Sequence, residues 1–327
     1  MNRTRRALAA TALAAAVALS GCGVQNSIVH LQPAPTENVE TGAPLRLDAA
    51  ERIAARVLGD VAAATSSEER AELLVGPALR VETLRAGLED ESGETAPALV
   101  VPSPPTILAM SEGQDWPRAI LAATLDETTS VQHVHVLVSS GPTDQFKLYA
   151  TATMLPGTSI PVLGEVQEGA TFEAATKETP VAASELFTQY GLGITFPKPA
   201  VVTEVSIEDP YAESLRRNAQ AQVDAFGDLG AVAQTHTPVA DTIVSFTAAD
   251  GSMVAFGQMV RTDRIALSDK AKELNITDEV LQKLSGKKVV TKEFIVESLE
   301  NFLMVSVRGE PAQLVGAEEI VLRANGS

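Results

Sequence analysis

The chain of 327 residues contains a single cysteine, Cys22. It cannot close an intramolecular disulfide, so whatever fold it takes must be held by packing alone. Hydrophobic residues make up 45% of the sequence and aromatics only 4%, so that packing must be largely aliphatic. A folded length of about 300 residues is more than one ordinary core accommodates, and two domains are expected.

The position of Cys22 is as informative as its solitude. Arg3, Arg5 and Arg6 precede an uncharged run from Ala7 to Leu19, the pattern of an export signal with a charged start and a short apolar middle. Thirteen residues are too few to span a bilayer, which takes about 20. Leu19, Ser20 and Gly21 followed by Cys22 resemble the lipobox of bacterial lipoproteins. That resemblance implies cleavage after Gly21, diacylglycerol and a further acyl chain (palmitate) on Cys22, and anchorage at the outer face of the cell membrane. The expected segments are a signal peptide over 1–21 and a lipidated tether over 22–46. Thr4-Arg5-Arg6-Ala7-Leu8 also resembles a twin-arginine export signal, so the export route stays open. Removal of residues 1–21 takes away three arginines and no acid, moving the net charge from −17 to −20. A chain so acidic is not expected to bind nucleic acid, which demands clustered Lys and Arg against phosphate.

Residues 23–44 contain Pro33, Pro35, Gly42 and Pro44 among polar residues and show no apolar period, as a tether would. Periodicity then begins. Asp48 and Glu51 open a helix in which Ile53, Ala54, Val57, Leu58 and Val61 recur at helical spacing. Ser66 and Glu69 open a second helix, and Gly76-Pro77 a third that ends near Gly87. After Pro105 the period changes to two, predicting strands at 106–110, 119–125, 131–139 and 145–154. Leu155 to Pro180 reads as a crossover with room for one short strand, and the same order follows it. Helices are predicted at 182–190 and, behind Asp209-Pro210, up to the stop at Gly227; strands at 232–237, 242–248 and 253–261, with a hairpin turn at Asp250-Gly251. A helix at 278–284 precedes strands at 289–297, 302–308 and 314–322. The expected fold is α+β, with a first domain over 47–163, a linker over 164–180 and a second domain over 181–325.

Helices followed by a curved antiparallel sheet, twice over, resemble the cystatin-like cone of the nuclear-transport-factor-two-like superfamily, duplicated as in a group of uncharacterised actinobacterial lipoproteins. The residues carrying the resemblance are Leu19-Ser20-Gly21-Cys22, Trp116-Pro117-Arg118 before a strand of the first half, and Ala249-Asp250-Gly251-Ser252 running into Met253–Gly257 in the second. It implies two tandem cones and an envelope location, with no assigned activity. Enzymes of the superfamily work from the cone's cavity with an Asp or an Asp/His pair.

Few residues point to chemistry. His133 and His135 fall on the same side of a strand, but a metal site needs at least a third ligand, and the surrounding sequence supplies none. Val134, Val136 and Val138 are expected to pack inward and the histidines to face solvent or a shallow groove. Asp126, Asp241, Asp263 and His236 are expected at strand ends as surface or capping groups, Gly191-Leu192-Gly193 as a helix stop, and Trp116 as an anchor where a strand begins. The chain has no Gly-x-Ser-x-Gly elbow, phosphate loop or His-Glu-x-x-His helix. No metal, cofactor or catalytic residue is therefore expected. The leading expectation is a membrane-anchored, non-catalytic lipoprotein that binds or scaffolds an envelope protein. A cone cavity for a small apolar or amphiphilic ligand comes next, and an isomerase or hydrolase last.

Overall fold

The computed structural model describes residues 42–92, 99–100 and 103–327. Cys22 and its lipobox, and most of the tether, lie outside the described residues. Three early helices form where expected: α1 (Leu47–Ala63), α2 (Ser67–Leu73) and α3 (Gly76–Ser92), although α2 buries none of its residues and α3 runs past Gly87, the expected stop. Ala50, Ala54, Val57, Leu58 and Val61 make the buried stripe of α1. The Ser66 side chain accepts the Glu69 N–H to cap α2. Strands β1 (Thr106–Met110), β2 (Arg118–Asp126), β3 (Val131–Ser139) and β4 (Lys147–Thr153) pair antiparallel in sequence order.

The second sheet has the order β11-β10-β7-β6-β5. Its strands are β5 (Thr171–Ala174), β6 (Gly230–Thr247), β7 (Met253–Leu267), β10 (Glu293–Ser306) and β11 (Gln313–Gly326). Helices α4 (Ala182–Gly193) and α5 (Pro210–Phe226) lie on it. A small lobe made of β8 (Leu274–Asn275), α6 (Glu279–Ser285) and β9 (Val289–Val290) packs through Ile276, Leu281, Leu284 and Val290 onto Phe294 and Ala324. Asp250 turns the β6–β7 hairpin as expected: its side chain accepts the Ser252 N–H at 2.8 Å, and Gly251 takes a φ of +87°.

Alternation along the strands divides the core into layers. On β2, Ile120 and Ala122 join the cluster beneath α1–α3, while Ala119, Leu121 and Ala123 face the other way. There they meet Val244, Phe246, Val254, Phe256 and Leu303 of the second sheet. The opposite face of that sheet carries Ala255, Met259, Phe302 and Met304 against Phe187 and Tyr190 of α4 and Leu215 of α5. The order is therefore helices, sheet, sheet, helices. Gly257 is needed for the last contact, because a Cβ there would lie 2.9 Å from the Phe187 ring.

This arrangement is α+β, but it corrects the expected partition. Each half has a cluster under its own helices, but the largest cluster is built from strands of both halves, and residues 41–327 form one compact unit. The segment 164–180, expected as a linker, does hold one short strand, β5, and it is bonded to both sheets. Ala170 donates to the Met110 carbonyl at 2.8 Å and accepts from the Glu112 N–H at 2.9 Å, and β5 then adds to the edge of β6. At the far side Met154 pairs with Gly316, and the Leu155 N–H donates to the Val315 carbonyl at 2.7 Å. No helix among the described residues is long and apolar enough to cross a membrane.

Candidate functional site

The densest chemistry lies between the second sheet and its helices. Val232, Gln234 and His236 are buried on one face of β6, while Ala231, Thr235 and Thr237 are exposed. Arg261 stands directly across from His236 on β7, with Ser298 opposite Arg261 on β10. Glu300 is two residues further on, with Glu319 opposite it on β11. Strand register alone thus brings four ionisable side chains to one patch.

His236 Nδ1 lies 2.8 Å from Glu300 Oε2, with both side chains fully buried. Arg261 Nε meets Asp263 at 2.8 Å; its Nη1 reaches Glu300 at 3.4 Å and also contacts Glu319. Gln234 Nε2 donates to the other oxygen of Asp263 at 2.6 Å. The Tyr211 hydroxyl is 2.7 Å from Glu300 and 2.8 Å from Glu319. One hydroxyl proton can serve only one of these carboxyls at a time. Burial, reinforced by Glu300 and Glu319, drives the Tyr211 pKa far above its ordinary value, so the phenol stays a donor. Burial works against the charge on Arg261, but Asp263, Tyr211, Glu319 and Glu300 together raise its pKa, and it remains a cation.

The helices fix this patch from above. Asp209 caps α5 by accepting the Ala212 N–H at 2.9 Å, and Pro210 occupies the first turn. The same carboxylate accepts the Tyr190 hydroxyl of α4 at 2.9 Å. Burial raises the Asp209 pKa against the opposing pull of those hydrogen bonds. Tyr190 and Tyr211 both set an edge against Phe302, at 5.5 and 5.3 Å. Gly191, expected only to end a helix, lies inside α4, where a Cβ would come within 2.9 Å of the His236 carbonyl. His236 Nε2 and Gln234 Oε1 are buried without a hydrogen-bond partner.

The first sheet treats its histidines differently. His135 is fully buried, correcting the expectation of a solvated histidine face. Its Nε2 shares a 2.8 Å hydrogen bond with Thr124, and burial, aided by His133, lowers its pKa to about 3. His133 is only partly buried and pairs through Nδ1 with Thr153 at 3.2 Å; Thr153 in turn donates to Glu318 of β11. Among the described residues no three His, Cys, Asp or Glu side chains converge as a metal ion would require.

Of the other residues expected at strand ends, Asp126 does hold a turn, accepting the Thr128 N–H at 2.8 Å, and Asp241 is exposed, 3.8 Å from Lys177. Asp263 and His236 are instead mid-strand members of the buried patch. Trp116 is half-buried, and Arg118 stacks 4.4 Å above its ring while donating to the Gln114 carbonyl. The partners of His236 went unread because Arg261, Glu300 and Glu319 look like surface charges. The available signal was polar residues spaced by two, Gln234/His236, Arg261/Asp263 and Ser298/Glu300, each inside an apolar strand.

Space within the molecule is limited at the junction of the layers. The crevice between Pro77, Val81, Phe256, Asn301 and Glu318 leaves no room for a water molecule. A cleft of about 490 Å³ opens where Gly42, Glu112, Leu163, Gln167, Thr247 and Ala249 meet.

No protein-family model and no curated protein matches the chain. A solved structure described as "Structural insights into dehydratase substrate selection for the borrelidin and fluvirucin polyketide synthases" aligns over 76% of this chain and 81% of its own. The identity is 13% and the TM-score 0.15, too low for the likeness to carry any argument.

Proposed function

We propose that the mature protein is a lipoprotein of the cell envelope, anchored through Cys22, whose α+β body is a non-catalytic interaction or scaffold module for another envelope protein. The observation that carries the reading is the lone cysteine placed directly after Leu19-Ser20-Gly21 and an arginine-led apolar segment. The two acyl chains of a diacylglycerol already suffice to hold a protein to a bilayer without a membrane span. The helices-then-sheet order of each half is read as a duplicated cone, with the two cones packed sheet against sheet. The body favours scaffolding over catalysis because its central dyad is sealed: His236 and Glu300 have no exposed side-chain surface, and α5 would have to lift before a substrate touched either.

Cys22→Ser in the native host, with a clickable palmitate analogue, tests the anchor. Label should be lost and the precursor retained or released; label persisting on the Ser variant refutes the anchor. Photo-crosslinking from surface positions of the body should then capture a discrete envelope protein. The 490 Å³ cleft supports a second reading, a small amphiphilic ligand, since apolar Leu163 and Ala249 line it together with polar Glu112 and Thr247. Native mass spectrometry of protein from host cells separates the two, since a stoichiometric small molecule would favour the ligand.

A further inference from the structure

The chain has nine lysines, and six of them, Lys270, Lys272, Lys283, Lys287, Lys288 and Lys292, fall within 23 consecutive residues of an otherwise acidic protein. The fold gathers them on the lobe made of β8, α6 and β9, and all six are exposed. Between Lys283 and Lys292 there is no acid. Lys270 is 2.9 Å from Asp228, but no carboxylate pairs with Lys287, Lys288 or Lys292 among the described residues. Lys283, Lys287 and Lys288 line a cleft of about 400 Å³ with Glu279 and Gln282. Val289, next to Lys288, is 40% exposed.

We infer that this lobe docks on anionic lipid headgroups of the membrane that carries the protein's own anchor. The inference rests on the lipoprotein reading above for its choice of surface. Charge complementarity is the first argument: the anchored chain carries −20 overall and so stands off from an anionic membrane, while residues 270–292 set six lysines against Glu273, Asp278 and Glu279, so this lobe is the part such a membrane attracts. Reach is the second. Ala43 donates to Gln167 at 3.0 Å, and Gly42 shares its cleft with Thr247 and Ala249, at the Met253 end of β7. The lobe sits at the other end, where the Leu267 N–H donates to the Lys292 carbonyl at 2.8 Å. The 15 residues of β7 set the two about 50 Å apart along the strand. Twenty residues separate Cys22 from Gly42 and can span at most about 70 Å. The anchored body can therefore lie along the membrane with the lobe on the headgroups, and the anchor keeps the local lipid concentration high enough for a weak contact to form.

The test uses the chain from residue 22 with Cys22→Ser, so that no acyl group contributes, and vesicles of phosphatidylcholine alone or mixed with phosphatidylglycerol. At low salt the protein should sediment with the mixed vesicles and not with the neutral ones, and added salt should release it. Lys287→Gln, Lys288→Gln and Lys292→Gln together should weaken that partitioning about a hundredfold, near fivefold for each lysine. These side chains are exposed, so the melting temperature should not change; a triple Gln substitution of Lys147, Lys177 and Lys198 controls for net charge and should bind as the parent does. Equal sedimentation with both vesicles, or retention by the Lys287/Lys288/Lys292 variant, overturns the inference. So does capture by polyglutamate but not by vesicles, which would assign the lobe to an acidic protein. Because the assay omits the lipid anchor, its failure leaves the palmitate result standing, and loss of the palmitate result leaves the vesicle result standing.

Discussion

The two sheets each bury a histidine, and they do so in opposite ways. His135 of β3 is fully buried with Thr124 on its Nε2 and the His133 ring 6.5 Å away, and burial, aided by His133, holds its pKa at about 3. His236 of β6 is buried as deeply but among charges, with Glu300 at 2.8 Å and Arg261 across the strand. The first arrangement avoids the cost of a buried charge by keeping the ring neutral. The second accepts several charges and offsets their desolvation by pairing each one. A buried imidazole is therefore no marker of chemistry by itself; its neighbours across the strand decide what it is.

The charged side should be the more fragile. Glu300→Ala takes the carboxylate from His236 and Tyr211 and one of three carboxylates from Arg261, and should cost about 3–5 kcal/mol, read as a shift of the urea midpoint. Glu300→Gln keeps two hydrogen-bonding atoms and should cost less. A loss under about 1 kcal/mol for Glu300→Ala would mean that the charges are not held by one another.

The layer shared by the sheets comes next. Leu121→Ala should cost about 2–5 kcal/mol, and far-ultraviolet dichroism and Trp116 fluorescence should still report one transition. Two separated transitions would show that the halves unfold independently in spite of the common cluster.

The neutral histidine gives a smaller effect with a definite sign. The unfolded chain protonates His135 near 6.5, whereas the folded protein does so only at about 3. Its contribution to stability is complete above about pH 6.5 and is lost as pH falls, by about 1.4 kcal/mol per unit, reaching about 2 kcal/mol at pH 5. His135→Gln should flatten this acid dependence. If the parent and the variant lose stability in parallel between neutral pH and pH 5, His135 is not what is being titrated.

The helix caps separate the two sides most finely. Ser66→Ala, over the neutral side, should cost about 0.5–1 kcal/mol. Asp209→Ala, over the charged side, should cost about 1–2 kcal/mol, because it also leaves the Tyr190 hydroxyl without its acceptor. Equal costs by denaturant titration would remove the tie between α4 and α5 from this account.

Much of the fold was legible where a residue's role depends on its near neighbours in sequence. Asp209-Pro210 and Gly227 bound α5 as expected, and β1 and β3 fall on the predicted residues. The longest strands were not legible. Val232–Thr237 and Thr242–Ala248 are parts of one strand, β6, with an irregularity between Val239 and Val244. Ser298 to Asn301, expected as a break, is the middle of β10. The causes differ: Pro238 and Asp241 carry a turn signal that β6 runs through with that irregularity, whereas Glu300 and Asn301 are polar residues buried in mid-strand because partners elsewhere in the chain satisfy them. Asn301, for example, accepts from Gln258 at 2.8 Å.

Local pattern by itself determined the α+β class, the caps at Ser66 and Asp209, the Asp250-Gly251 hairpin and the strand alternation, because each depends on residues within a few positions of one another; the Asp48 cap it also suggested does not form, since Arg46 stands at that N-cap. Only the tertiary structure decided that the halves share a core, that 164–180 binds the sheets together, and that His236, Arg261, Glu300 and Glu319 meet. Such contacts join residues far apart in the chain, as Thr153 and Glu318 are at 165 positions. A side chain's polarity is written in the sequence, but the partner that makes its burial tolerable is supplied by strand register across the sheet.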